Sequence, residues 1–397
     1  MKYSKFLMED CLEAIIDYRG KTPHKSENGI LTLSAKSVKN NNIDYSQCYY
    51  ISDDEYKKFM VRGFPQKGDI LLTTEAPLGM VAKLDRDDIA IAQRLLTLRG
   101  KKGVLDNDYL MYYLQSPMGQ SLLKSRETGT TVTGIKQSEF RKIEISIPDF
   151  EMQKKVSNVL NVINDKIKLN NDINNNLEQQ AQVIFKSWFV DFEPYDGVMP
   201  SNWHISQLGS IARISTEVFS PSKSPNVEVE HYSIPAYDEK HYPVFENSDG
   251  IKSNKYRLTS NSVMISKLNP DTKRIWRPYC VSNRPICSTE FIVYEPINPL
   301  NRDFVYSIVD SVGFSAYLCS HTTGSTNSRQ RATPSITLNY NIVLPDDKTL
   351  RSFCSIVTPM YDAIENNIKE NQKLAITRDI LLPKLMSGEL DVSDIDL

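Results

Sequence analysis

Three kinds of segment in this sequence invite a catalytic reading, and each fails on its spacing. Gly20-Lys21-Thr22 ends like a phosphate-binding loop, but that pattern needs a glycine at position 15, where Ile15 stands. Asn269-Pro270 and Asn298-Pro299 open like an Asn-Pro-Pro-aromatic signature, yet Asp271 and Leu300 replace the second proline. Pro148-Asp149 and Pro345-Asp346 offer carboxylates to a nuclease, without the Glu-x-Lys strand that would complete a metal site. The five histidines, at 24, 204, 231, 241 and 321, are scattered, and only His231 and His241 share one aromatic-rich stretch. No catalytic or metal constellation results, and no cofactor is expected on this chain.

What the sequence does gather is hydrogen-bonding side chains of the kind that reach phosphates and base edges. In the first half these are Arg19, Lys21, Thr22, Thr73, Thr74, Gln93, Arg94, Thr130 and Thr131. Gln93-Arg94 interrupts an otherwise apolar strand expected over 89–98, which points either to a contact or to a plain strand edge. In the second half the densest basic stretch, 267–284, holds Lys267, Lys273, Arg274 and Arg277 around Trp276, a pattern suited to phosphate contact with packing on sugar or base. A polar loop follows with Ser325, Thr326, Asn327, Arg329, Gln330 and Arg331.

The whole chain of 397 residues has a net charge of −2, against a generic polyanion binder. The distribution is uneven: residues 1–150 and 201–344 each carry an excess of two Lys/Arg, whereas 151–200 and 345–397 carry an acidic excess. Six cysteines without a Cys-x-x-Cys pair and an N-terminus without an apolar signal core read as a protein of the reducing cytoplasm. No apolar run approaches the roughly 20 residues of a membrane span.

The elements that must position these residues occur twice. Two predicted helices repeat apolar residues at alternating spacings of four and three, Val156, Leu160, Ile163, Ile167 and onward to Trp188, then Phe353, Val357, Met360, Ile364 and onward to Leu385. Both seams are broken by asparagines at matching heights, Asn170 and Asn174 in one, Asn367 and Asn371 in the other, offset by 197 residues. A buried amide fixes register because it is costly unless it meets another. Antiparallel packing would set Asn170 against Asn371 and Asn174 against Asn367. The globular parts repeat too. Each has an opening strand, a buried strand (68–74 and 262–266), a further strand (89–98 and 287–294), a helix (107–124 and 302–319), a polar loop and a strand ending in Pro148 or Pro345.

The fold class is therefore α+β: two globular mixed α/β domains separated by two long antiparallel coiled-coil helices, a pseudo-twofold tandem repeat. The linker from Phe192 to Trp203 is short, so the second helix must return along the first, with Trp203 packing at the base of the second module. About 33 residues at ~1.5 Å of rise each would hold the modules on the order of 50 Å apart. Ile184, Phe185, Trp188 and Phe189 present more apolar surface than one neighbouring helix covers, and are expected to dock partner subunits.

In order, the chain resembles the specificity subunit of Type I restriction-modification enzymes. The resemblance rests on Arg19-Gly20-Lys21-Thr22-Pro23, on Gly68-Asp69-Ile70-Leu71-Leu72-Thr73, on the strand-to-helix junctions Ile147-Pro148 and Leu344-Pro345, and on Pro383-Lys384-Leu385-Met386-Ser387-Gly388-Glu389-Leu390. The second half lacks the Arg-Gly-Lys-Thr-Pro loop and has Thr216-Glu217-Val218-Phe219 instead, so contacts cannot be copied between halves. The resemblance implies target recognition domains over 1–149 and 194–345, and conserved helical regions over 150–193 and 346–397, the last including a C-terminal tail. It also implies that the residues above contact double-stranded DNA at a bipartite target, with two methyltransferase (M) subunits and restriction (R) subunits as partners. S-adenosylmethionine, magnesium and ATP would sit on those partners. A coiled-coil scaffold binding proteins or glycans is the rival. A self-contained methyltransferase would need an S-adenosylmethionine-binding segment, which is absent from the sequence.

Overall fold

The computed structural model describes residues 3–129, 133–323 and 330–394. The chain divides into two compact units, Met1–Ile167 with Lys373–Leu397, and Lys168–Gln372. Two long helices, α1 (Phe150–Phe189) and α2 (Asp347–Ser387), each contribute a segment to both. Asp149 and Asp346 open these helices as caps. Asp346 accepts bonds from the Lys348 and Thr349 amides at 3.0 Å and from the Thr349 hydroxyl at 2.8 Å, and these donors hold its carboxyl down at about 2.

The first unit is built on a four-stranded antiparallel sheet of β1 (Leu12–Asp17), β2 (Ile70–Thr73), β3 (Val81–Lys83) and β4 (Leu95–Gly100), in the spatial order β1-β4-β2-β3. The second repeats that order with β5 (Ala212–Ser215), β6 (Val263–Ser266), β7 (Ile275–Trp276) and β8 (Phe291–Pro296), arranged β5-β8-β6-β7. Each unit adds a mixed sheet with one parallel pair, Ile30–Leu33 beside Ile89–Ile91 in the first and Glu228–Tyr232 beside Pro285–Ser288 in the second. The strand expected over 89–98 is thus two strands in two sheets, because the chain turns a corner at Arg94, whose φ of 70° no strand tolerates. The helix expected over 107–124 also divides, into Asn107–Gln115 and Pro117–Ser125. Proline cannot donate to the preceding turn, and the Ser116 hydroxyl caps the new one.

Within the second unit the helices pair antiparallel, as the seam requires. Asn170 Nδ2 donates to Asn371 Oδ1 at 2.8 Å and Asn367 Nδ2 donates to Asn174 Oδ1 at 2.9 Å. Asn371 also donates to Asn171, and Asn170 to Glu370. Asn170, Asn174 and Asn371 are buried, so water does not supply these bonds, although Asn170 Oδ1 has no partner among the described residues. In the first unit Val156 and Leu160 of α1 and Leu382, Leu385 and Met386 of α2 join one core with Tyr109, Leu110 and Phe140. Gln153 fastens α1 to that unit, accepting from the Asp106 amide and donating to the Val104 and Pro148 carbonyls, all at 2.9 Å.

The C-terminal part of α2 is therefore core of the N-terminal unit. Leu385→Ala should destabilise by about 2–5 kcal/mol, as for a fully buried leucine. Hydrogen exchange should show β4 losing protection while β8 keeps it; equal loss in both, or none in β4, would contradict this placement.

Candidate nucleic-acid interface

In the first unit three segments converge beyond the end of β2. The Arg94 guanidinium at the corner meets Glu75 (Nε to Oε1, 2.7 Å), and Arg19 reaches the other oxygen of Glu75 at 3.9 Å. Arg19 also donates to the Ile135 carbonyl at 3.3 Å. Two backbone bonds, Thr74 N to Arg94 O and Ile135 N to Thr74 O, both 3.0 Å, lace the corner, the β2 extension and the polar loop together. Glu75 is bridged to Gly134, and a Cβ at Gly134 would lie 2.5 Å from the Thr74 carbonyl oxygen, so only glycine lets the strands approach. Glu75 holds both guanidinium forks on one side. The side chains of Arg19 and Arg94 remain about half exposed, at 45% and 51%, and a guanidinium has five donors to share.

The second unit lays the same frame with different chemistry. Lys267 takes the place of Thr74: its amide bonds to the Glu290 carbonyl and its carbonyl accepts from Ala332, both at 2.9 Å. Leu268 is bridged to Arg331 as Glu75 is to Gly134. Glu290 thus occupies the corner where the first unit has Arg94, and the arginine has moved to the loop strand. Arg331 grips Glu290 with Nε at 3.0 Å and Nη2 at 3.1 Å, and its side chain is 45% exposed. A guanidinium is always charged at neutral pH, and Glu290 raises the Arg331 pKa further.

Several expected contacts belong to the fold instead. Thr73 is fully buried; its hydroxyl donates to the Pro77 carbonyl at 2.7 Å and accepts from the Met80 amide at 2.9 Å, closing the turn after β2. Thr74 is buried too, and acts through its backbone. Arg277 is a structural cation: Nε meets Asp303 at 2.9 Å, Nη2 meets Asp362 at 2.5 Å and Nη1 meets Glu365 at 3.0 Å, tying a helix (Arg302–Asp310) to α2. Arg274 is paired with Asp238 at 2.6 and 2.9 Å, and Lys273 with Asp310. The aromatic residue between them is core, since Trp276 packs on Tyr232 and Tyr237. Lys21 and Thr22 are exposed, Gln93, Lys267 and Gln330 half-buried. Thr130, Thr131, Ser325, Thr326, Asn327 and Arg329 lie outside the described residues.

The docking patch is corrected likewise. Phe185 and Phe189 are buried against Phe304 and Phe353, with ring centroids 5.0–6.1 Å apart, and half-buried Trp188 and Ile184 pack on the same cluster. Trp203 closes it as expected, 5.7 Å from Phe189 with Nε1 bonded to Asp346. Phe185 and Phe189 are thus covered by their own unit, while Ile184 and Trp188 are covered only in part and Val183, on the same helix, stays exposed. Glu75 and Glu290, which aim the arginines, were missed. Acidic residues are poor candidates beside phosphate, and nothing in the spacing places them next to Arg94 and Arg331.

Comparison with known proteins agrees with this doubled frame. Residues 15–179 match the family described as Type I restriction modification DNA specificity domain. The chain is 28% identical over 379 residues to the Type I restriction enzyme MjaIX specificity subunit of Methanocaldococcus jannaschii, covering 87% of this chain and 82% of that relative. It is 22% identical over 402 residues to the HindI specificity subunit of Haemophilus influenzae, covering 82% and 87%. The fold is similar to the crystal structure of the type I restriction-modification S subunit from M. genitalium, at a TM-score of 0.60 and 16% identity over 97% of this chain and 96% of that one. The domain match and these long alignments make the chain similar, over most of its length, to specificity subunits of type I restriction enzymes.

Removing Arg277 would leave buried Asp303 with Arg302 as its remaining cation. Arg277→Met should therefore lower stability by roughly 3 kcal/mol in urea unfolding, the low end for a broken buried pair. A normal unfolding midpoint with lost DNA affinity would instead make Arg277 a direct contact.

Proposed function

We propose that the chain is the DNA-reading, non-catalytic subunit of a type I restriction-modification complex, each unit reading one half of a bipartite target at its laced corner. What carries this reading is the identical backbone lacing in both units with the guanidinium placed differently upon it: Arg94 and Arg19 around Glu75 in one, Arg331 on Glu290 in the other. An arginine held by a carboxylate is pre-oriented for bidentate bonding to guanine or to phosphate, and less freedom is lost on binding. Two weak readouts on one chain act at high effective concentration for each other, which makes the composite site tight.

In this reading two methyltransferase subunits assemble on the chain, restriction subunits join them, and S-adenosylmethionine, magnesium and ATP serve those partners in the cytoplasm. Among the described residues no helix is long and apolar enough to cross a membrane. The comparisons favour DNA recognition over a scaffold for proteins or glycans.

Methylation profiling of the assembled enzyme tests the assignment. Arg94→Ala should relax sequence preference in one half-site and Arg331→Ala in the other, each at a cost of about 1–3 kcal/mol in binding. Both substitutions relaxing the same half-site, or neither altering the methylated sequence, would remove these corners from recognition.

A further inference from the structure

The second unit contains a cavity that the DNA reading does not use. It occupies about 230 Å³ and opens among α1, α2 and the head of that unit. Tyr237, Trp276, Tyr279, Tyr306 and Tyr361 line it, so most of its wall is aromatic. Tyr306 and Tyr361 meet edge-to-face at 4.8 Å, and Tyr237 stands at 5.1 Å from Trp276. Three carboxylates, Glu178, Asp310 and Glu365, also face it. Lys273 and Arg277 line it as well, so the carboxylates outnumber the cations by one, a balance that disfavours a phosphate.

The charges do not balance within the protein. Asp310 is answered by Lys273, and Glu365 by Arg277 and Lys369. Glu178 makes no hydrogen bond or ion pair with any described residue. His241 is a weak source of compensating charge, because desolvation lowers its pKa. Solvent still reaches Glu178, but desolvation by burial, with Asp310 as the smaller cause, pushes its carboxyl up to about 6 against the opposing pull of Lys273, which is itself paired with Asp310. No three His, Cys, Asp or Glu side chains among the described residues gather closely enough for a metal ion, so the vacant charge is not arranged as a cation-coordination site.

A carboxylate without a partner at the mouth of an aromatic-walled cavity has the two features that recognise an organic cation: an opposite charge, and ring faces whose quadrupoles attract positive charge. We propose that this cavity binds a small alkylammonium group, with Glu178 as counter-ion and the rings of Tyr237, Tyr279, Tyr306 and Tyr361 as its walls. Lys369 already lies 6.0 Å from the Tyr279 ring centre, so cationic contact with this wall exists within the fold. The group can arrive as a free amine or as the end of a basic side chain on a partner subunit.

Calorimetric titration of the full chain with choline and with butylammonium tests this, with 3,3-dimethylbutan-1-ol as the uncharged match to choline. At least one cation should bind saturably, the neutral compound at least tenfold more weakly than choline, and Glu178→Gln should weaken cation binding at least tenfold while Arg94→Ala leaves it unchanged. Choline binding that vanishes when the methyltransferase subunit assembles identifies a partner side chain as the natural occupant; binding that persists identifies a free amine. Failure of both cations to bind, equal binding of the neutral compound, or unaltered binding by Glu178→Gln overturns the proposal.

Discussion

Everything in this chain depends on two long helices finding one another in a single register. An apolar seam alone would accept a slip by one heptad with little penalty. Buried amides do not, because a displaced Asn170 or Asn371 would face aliphatic side chains and lose the bonds it makes in this register. The pairing of Asn170 with Asn371 and of Asn174 with Asn367 converts a sticky surface into a defined one. The N-terminal unit takes its own share of α2, its core including Leu382, Leu385, Met386 and Val392 from the far end of the sequence.

On that scaffold the corners proposed for recognition divide labour between backbone and side chain. The lacing at Thr74 and Lys267 is made by main-chain groups that any residue supplies, so it can be kept while the side chains diverge. The ion pair is set on different positions of that frame: Glu290 stands where the first unit has Arg94, Leu268 where it has Glu75, and Arg331 where it has Gly134. Each corner keeps an ion pair that holds a guanidinium partly extended toward solvent. That difference in side chains on one backbone frame is what the proposed reading of two different half-sites requires.

The seam was legible in the sequence because its period is long and its interruption is duplicated. The strand order and the strand-to-helix junctions were legible for the same reason. The corner at Arg94 was not, since a single left-handed residue inside an apolar run leaves no periodic trace. The Lys/Arg-rich stretch around Trp276 misled because charge density along the chain does not reveal partners far away in sequence. Asp303, Asp362 and Glu365 claim Arg277, and Asp238 claims Arg274. Phe185 and Phe189 were read as an outer face because their covering residues, Phe304 and Phe353, lie more than a hundred residues away.

A double-mutant cycle on Asn170 and Asn371 addresses the register directly. Replacing either amide by leucine should cost about 1–3 kcal/mol, because the bond between them is lost and the partner keeps only its second contact, while replacing both should cost clearly less than the two single losses added. A coupling of that size in urea unfolding is the expected result. Additive losses, with the double variant no more stable than the sum of the single ones, would show that the two amides do not hold the helices together.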